Sequence, residues 1–477
     1  MSLMGVASCA DDESFSTSSS DILSFSADTV KLDTTFSNVP TPTKTIWVYN
    51  RSGKSIRCSS VRLESGNQTG FRVNVDGSYL GASVGYQAQD VEIRKGDSIR
   101  VFVELTSTIQ QQDEPQLVED NLVFNLESGI QQKVNLHAVS WDAEFLRNVT
   151  VKRGETLTLG EKSATGYQKP IVVYGGITVD TLATLNILPG TTLYFHENAG
   201  IQVYGKMQAQ GTAAEEVVLR GDRIDHMFDY LPYDRTPGQW QGIQLMPSSF
   251  GNELTYTDLH SAYNGIVADS SDVSQQKLLL QNSTIHNCQG YGVYLEYAKA
   301  QIYNCQLSNT LNNCLYLWGA DVDVNNTTIA QFYPFDARRG TAIGFKAPIP
   351  NFQVKNSLVT GYADDEVVWT PVDDQPLEFA FDHCLLRTEK MMTEDSLKFT
   401  NVIYEDVKDT ASYGVKNFQK IDTDNLIYDF RLSEKSAAIG IADPATALPF
   451  DRNGMKREDE KCDAGCFLYR EPQKEEE

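Results

Sequence analysis

The phrase Asn282-Ser283-Thr284-Ile285 returns as Asn304-Cys305-Gln306-Leu307 and again as Asn326-Thr327-Thr328-Ile329, its closing apolar residue advancing 22 positions each time. A fixed period of this length, carried by short β-type runs such as Gly292-Val293-Tyr294-Leu295 and Leu315-Tyr316-Leu317-Trp318, specifies a solenoid. The alternations Gln301-Ile302-Tyr303 and Asp321-Val322-Asp323-Val324 point apolar residues inward and polar ones outward. No helix-length amphipathic run interrupts the repeats. Each period therefore reads as one coil of a parallel β-helix, its strands pairing with their equivalents one coil away. The recurring Asn is expected to stack as a ladder whose amides bond one another above and below. One coil alone buries too little to offset the entropy of ordering its backbone, so many coils must share one core.

The rest of the chain divides around this stretch. Residues 1–21 read as a leader, 22–145 as a β-sandwich, 146–470 as the β-helix with a closing segment, and 471–477 as an acidic tail. Short alternating runs in the second of these, such as Thr45-Ile46-Trp47-Val48-Tyr49, Phe71-Arg72-Val73-Asn74-Val75 and Ser98–Val103, have turns between them and the spacing of an immunoglobulin-like sandwich. Trp47-Val48-Tyr49-Asn50 followed by Val91–Asp97 resembles the sandwich of cilia-associated and bacterial surface proteins, a spacer or docking module that carries no chemistry. The fold class is thus all-β throughout, in keeping with Gly 33, Tyr 22 and Phe 21.

A formal net charge of −24 argues against nucleic acid or an anionic membrane as partner. It would also repel an acidic polymer unless a cation bridged the two. The eight cysteines match no zinc pattern. Cys288, Cys305, Cys314 and Cys384 are expected as buried free thiols, while Cys462 and Cys466 are close enough for a local disulfide.

Val6-Ala7-Ser8-Cys9 resembles a bacterial lipobox, and Ala10-Asp11-Asp12-Glu13 resembles the acidic export tag of Bacteroidetes lipoproteins. A second resemblance runs through Gly205–Gly211, Leu231-Pro232-Tyr233-Asp234, Pro237–Ile243 and Asn252–Tyr256, and on to the closing segment at Tyr428–Ser433 and Asp463–Phe467. Together these are similar to right-handed, single-stranded parallel β-helix surface lipoproteins of Bacteroidetes, with a pectin-lyase-like solenoid. The resemblance implies lipidation of Cys9, an outer-membrane location facing the cell exterior and contact with the membrane through the lipid alone. It implies no particular activity.

Three functions stay open on this scaffold: non-catalytic binding of a glycan or surface protein, a polysaccharide lyase or glycoside hydrolase, and a structural stalk. For binding, the aromatic insertion Met227–Arg235 interrupts the coil rhythm and offers Phe228, Tyr230, Tyr233 and Arg235, with Trp240 beside it and Trp318 and Trp369 farther along. For catalysis, Asp364-Asp365-Glu366 and Arg338-Arg339 lie in loops of consecutive coils and are the candidate acids and bases. They match none of the polygalacturonase phrases. Calcium enters only with a lyase; otherwise no cofactor is expected. Of the histidines, His196 and His226 are isolated in sequence, whereas His286 and His383 lie in or beside the repeat phrase. Packing or turn roles rather than metal ligation are expected of them.

Overall fold

In a computed structural model the described residues are 14–390, 392, 394–409, 412–458 and 460–471. Cys9 and the acidic phrase after it lie outside them. The chain forms two compact units, the first ending at Ala143 and the second beginning at Glu144.

The first unit is a β-sandwich of two five-stranded sheets. One contains Lys44–Tyr49, Ser98–Leu105 and Phe71–Val75; the other contains Gln131–Trp141, Gln116–Leu126 and Ile56–Leu63. Their alternating apolar residues, Val48, Val73 and Val101 from one sheet and Val61, Phe124 and Leu136 from the other, meet in a single core. Thr29–Phe36 pairs parallel to Gln131–Trp141, whereas the remaining pairs in both sheets are antiparallel. Residues 14–21, expected within the leader, include Ser16, whose N–H donates to the Ser55 carbonyl at 2.8 Å, and Phe15, which lies under the Arg57 guanidinium.

The second unit is the parallel β-helix. One coil shows the plan. Lys299–Tyr303 pairs in register with Asp321–Asn325, Gln306–Thr310 with Thr328–Gln331, and Leu315–Trp318 with Ile343–Lys346. Three parallel ladders result, and the first runs for ten strands from Thr156–Leu159 to Phe399–Thr400. Ala300, Ile302, Leu307, Leu315, Leu317, Val322 and Val324 all face the interior and are buried. Their counterparts in the other coils continue one apolar core from Val151 to Leu386. Residues 362–375, expected as a loop, include the strand Val367–Thr370, which extends the third ladder.

The recurring Asn marks a corner. Asn282, Asn304, Asn326 and Asn356 have φ between 47° and 54°, and His383 takes the same place in the next coil with φ 52°. Asn tolerates this left-handed conformation better than most residues, and that is why it recurs. The amide ladder expected of these residues does not form. The stack instead lies one residue later, where the chain turns back into the core. There Thr257 N–H donates to Ser283 Oγ, Cys305 N–H to Thr327 Oγ1, and Thr327 N–H to Ser357 Oγ.

The side chains of Asn304, Asn326 and Asn356 are engaged by a returning C-terminal segment. Leu448 N–H donates to Asn326 Oδ1 at 2.7 Å and Asp443 N–H to Asn356 Oδ1 at 2.8 Å. Asn304 donates to the Phe450 carbonyl and accepts from the Arg457 guanidinium at 2.9 Å. Asn326→Ala should therefore lower the unfolding free energy by about 1–3 kcal/mol, through left-handed strain and the lost acceptor. Asn326→Gly should recover the strain part in urea denaturation. A Gly variant no better than Ala would rule out the conformational account.

The cysteines of the coils are buried thiols, and the expected local disulfide between Cys462 and Cys466 does not form: the Cys462 thiol donates to the Glu458 carbonyl at 2.9 Å. Among the described residues no helix is long and apolar enough to cross a membrane.

Candidate functional site

The outer face of the second ladder carries a row of side chains fixed by coil register. Tyr194 lies beside Arg220, and His260 beside His286 and then Ser308. Asp258 shares the strand Thr257–His260 with His260 and points to the same side two residues earlier. The lower coils of this face are covered by the hairpin of Phe418–Asp422 and Ile427–Leu432, whose Phe418 and Phe430 pack on Phe332. The insertion at Met227–Arg235 reaches in beside the row. Arg235 donates to the Asn425 carbonyl at 2.9 Å and ties the insertion to the hairpin. The resulting cleft, about 320 Å³, is lined by Asp234, Asp258, His260, His286, Asn309 and Tyr428 among others.

At its floor four groups form a chain. The His260 Nε2 lies 2.7 Å from Asp234 Oδ1, and His260 Nδ1 lies 3.1 Å from Asp258 Oδ1. The same Asp258 oxygen is 3.1 Å from His286 Nε2. The Arg220 guanidinium secures Asp234 at 2.9 Å. The His260 side chain is nearly buried, while Asp258, His286 and Asp234 keep partial access to solvent.

Burial alone would lower the His260 imidazole, but the Asp258 carboxylate and the bond to Asp234 outweigh it and hold it at about 9. Burial would likewise raise Asp258; the charges of His260 and His286 hold it well below the usual carboxylate range. Asp234 is also held low, its burial outweighed by its bond to His260. At neutral pH the floor thus offers two carboxylates and a protonated imidazole already bonded to both.

The expected site residues are placed differently from one another. Phe228 and Tyr230 stand 55% and 59% exposed on the insertion, their rings stacked at 5.8 Å. Tyr233 carries the Arg223 guanidinium over its ring, and Arg235 lines the cleft. Trp240, offered as a contact platform, is instead fully buried: it stacks on Phe195 at 4.2 Å and donates its indole N–H to the His260 carbonyl. Trp369 packs partly buried between Phe345 and Phe379, and Trp318 lies against Tyr297.

The acid–base candidates form no shared site. Arg338 projects into solvent and pairs with Asp336. Arg339 binds the Tyr333 and Asp336 carbonyls, Asp365 receives the Thr388 hydroxyl, and Asp364 is solvent-exposed. Glu366 is fully buried, accepting from the Ala342 and Ala363 amides, and burial pushes it up to about 8. That is a turn-closing role.

His286 was expected to pack inward or serve a turn; it faces the cleft instead, because alternation from the buried Ile285 sends the next residue outward. The readable signal was repeat alignment. Setting Thr257-Asp258-Leu259-His260 over Ser283-Thr284-Ile285-His286 places one imidazole above the other. Asp234, brought in by the insertion, had no such marker.

Register, corners and core define the second unit as a parallel β-helix. The family model described as "Right handed beta helix region" matches residues 175–329 and 241–361. No curated protein matches the sequence. Among solved structures, a family 123 glycoside hydrolase from Clostridium perfringens is 7% identical, with 29% of this chain and 30% of that one covered and a TM-score of 0.19. The chain thus spans less than a third of that hydrolase. A PapD-like domain of human CEP192 is 10% identical over 30% of this chain and 100% of its own, with a TM-score of 0.18. A GH87 α-1,3-glucanase catalytic unit from Streptomyces thermodiastaticus is 8% identical over 76% of this chain and 90% of its own, at 0.13. None of the three superposes well enough to bear on function.

Proposed function

We propose that the protein is a cell-surface glycan-binding lipoprotein, tethered through Cys9, whose β-helix holds a carbohydrate in the cleft beside the insertion. The observation that carries this reading is the stacked, half-exposed Phe228–Tyr230 pair, on the same insertion that supplies Asp234 and Arg235 to the cleft. Flat aromatic faces with a polar edge suit sugar rings, and carboxylates beside them suit hydroxyl groups.

Binding is favoured over cleavage by the charge state of the floor. A two-carboxylate glycosidase needs one carboxyl protonated at working pH. Here Asp234 and Asp258 are both held low.

The test is retention on immobilised plant, host and microbial polysaccharides, with reducing-end and unsaturated products followed in parallel. Retention without product is expected, and a Phe228→Ala/Tyr230→Ala double variant should bind at least about 10-fold more weakly. Product that vanishes in Asp258→Asn would establish an enzyme instead. Silence in both assays would leave a stalk or a protein-binding surface.

A further inference from the structure

Two imidazoles and a carboxylate that converge on one point need an account that glycan binding does not supply. We propose that Asp258, His260 and His286 form a binding site for a single divalent transition-metal ion of the zinc class.

The donor atoms already cluster. One oxygen of Asp258 lies 3.1 Å from His260 Nδ1 and 3.1 Å from His286 Nε2, and all three ligand atoms fall within 4.8 Å of one another. Tetrahedral zinc with bonds of about 2.0–2.1 Å spaces its donors roughly 3.3–3.5 Å apart. Around an ion the Asp258 oxygen parts from each nitrogen by a few tenths of an ångström, while the two imidazole nitrogens, within 4.8 Å of one another, draw together by up to roughly 1.4 Å through side-chain rotation. Among the described residues this is the group of three such side chains able to do so. Three other histidine–carboxylate contacts, His137 with Glu119, His196 with Asp222 and His383 with Asp382, belong to no such group of three.

The surroundings are those of a ligand set. A metal-bound imidazole characteristically gives its other N–H to a carboxylate, which fixes the tautomer and aims the free lone pair. Asp234 sits 2.7 Å from His260 Nε2 and holds that N–H, so an ion entering between Nδ1 and Asp258 displaces the proton the two now share and releases it to solvent. Arg220 in turn holds Asp234. His260 and His286 are neighbours on adjacent coils, with ring centroids 4.8 Å apart, so the backbone ladder sets their separation. Asp258, His260 and His286 all line the cleft, together with Asn309 and Gln306. Imidazole with carboxylate selects zinc or ferrous iron over calcium or magnesium, which take oxygen ligands.

The proposal does not depend on the glycan reading, and its test uses no glycan. Untagged full-length protein is stripped with a chelator at pH 7.5, then titrated with Zn²⁺ by calorimetry and with Co²⁺ by visible absorption. One equivalent of each should bind, with the Co²⁺ band of a low-symmetry, nitrogen-containing site. His286→Ala should bind Zn²⁺ at least about 100-fold more weakly while the metal-free variant keeps the wild-type circular dichroism spectrum, since His286 is a partly exposed side chain on the outer face. Asp234→Asn should weaken binding about 10–100-fold while stoichiometry stays at one. No saturable Zn²⁺ binding by the wild-type protein overturns the proposal, whatever the variants do. So does His286→Ala binding as tightly as wild type.

Discussion

Trp240→Ala should lower the unfolding free energy by about 3–5 kcal/mol, the range for removing a large aromatic from a packed core. The indole is fully buried, lies face to face with Phe195 at 4.2 Å and 9°, and donates to the His260 carbonyl at 2.9 Å. Truncation leaves a void between coils that β-pairing above and below keeps from collapsing, and removes the donor to a buried carbonyl. Trp240→Phe keeps the stacking and loses the hydrogen bond, so it should cost about 1–2 kcal/mol. Because the lost bond anchors the backbone of His260, both variants should also weaken whatever the cleft binds. Chemical denaturation of the three proteins decides it. A Trp240→Ala loss below about 1 kcal/mol would show that the coil repacks and that the indole holds nothing in place.

The second large effect concerns the returning C-terminal segment. A chain ending at Ile441 loses the partners of Asn304, Asn326 and Asn356, and with them Ala464, Cys466 and Phe467, which pack on Ala330, Phe332 and Leu358. Water replaces the freed hydrogen bonds, so each counts only about 1 kcal/mol net. Uncovering Phe467 and the apolar coil face beneath it adds roughly 2–3 kcal/mol. The total, about 5 kcal/mol or more, is comparable with the whole stability of an ordinary domain. The shortened protein should unfold at markedly lower urea and bind a hydrophobic dye. Melting within a couple of degrees of the full chain would show the segment to be an ornament.

Periodicity made the solenoid legible because every coil repeats one physical problem: an apolar interior, a left-handed corner, and a strand in register with its neighbour. Asn326 advertised its corner by residue type, since few side chains accept that backbone. What the corner Asn bonds was not legible, because Leu448 and Phe450 come from more than a hundred residues away with no phrase of their own. The cleft failed to show for a related reason. Asp234, Asp258 and His286 belong to three separate stretches; coil stacking brings the last two together and the insertion folds Asp234 in beside them. Acidic runs such as Asp364-Asp365-Glu366 drew notice as sequence and then dispersed, one exposed, one holding a threonine hydroxyl, one buried under a turn. Trp240 shows the opposite error, a residue type rich in binding connotation that the coil consumed for its own interior.

The returning segment has a kinetic side. Arg452 meets Glu216 across 236 residues of chain, and Arg457 meets Asn304 across 153. Coils can zip onto one another as soon as each leaves the ribosome, since their contacts are mostly one period away. The latch over their corners is made last and over the longest loops. We predict an interval in which the solenoid is wound but unfastened, visible in refolding as a dye-binding phase that precedes full burial of Phe467. That interval, rather than the finished fold, is where a chaperone would find its hold.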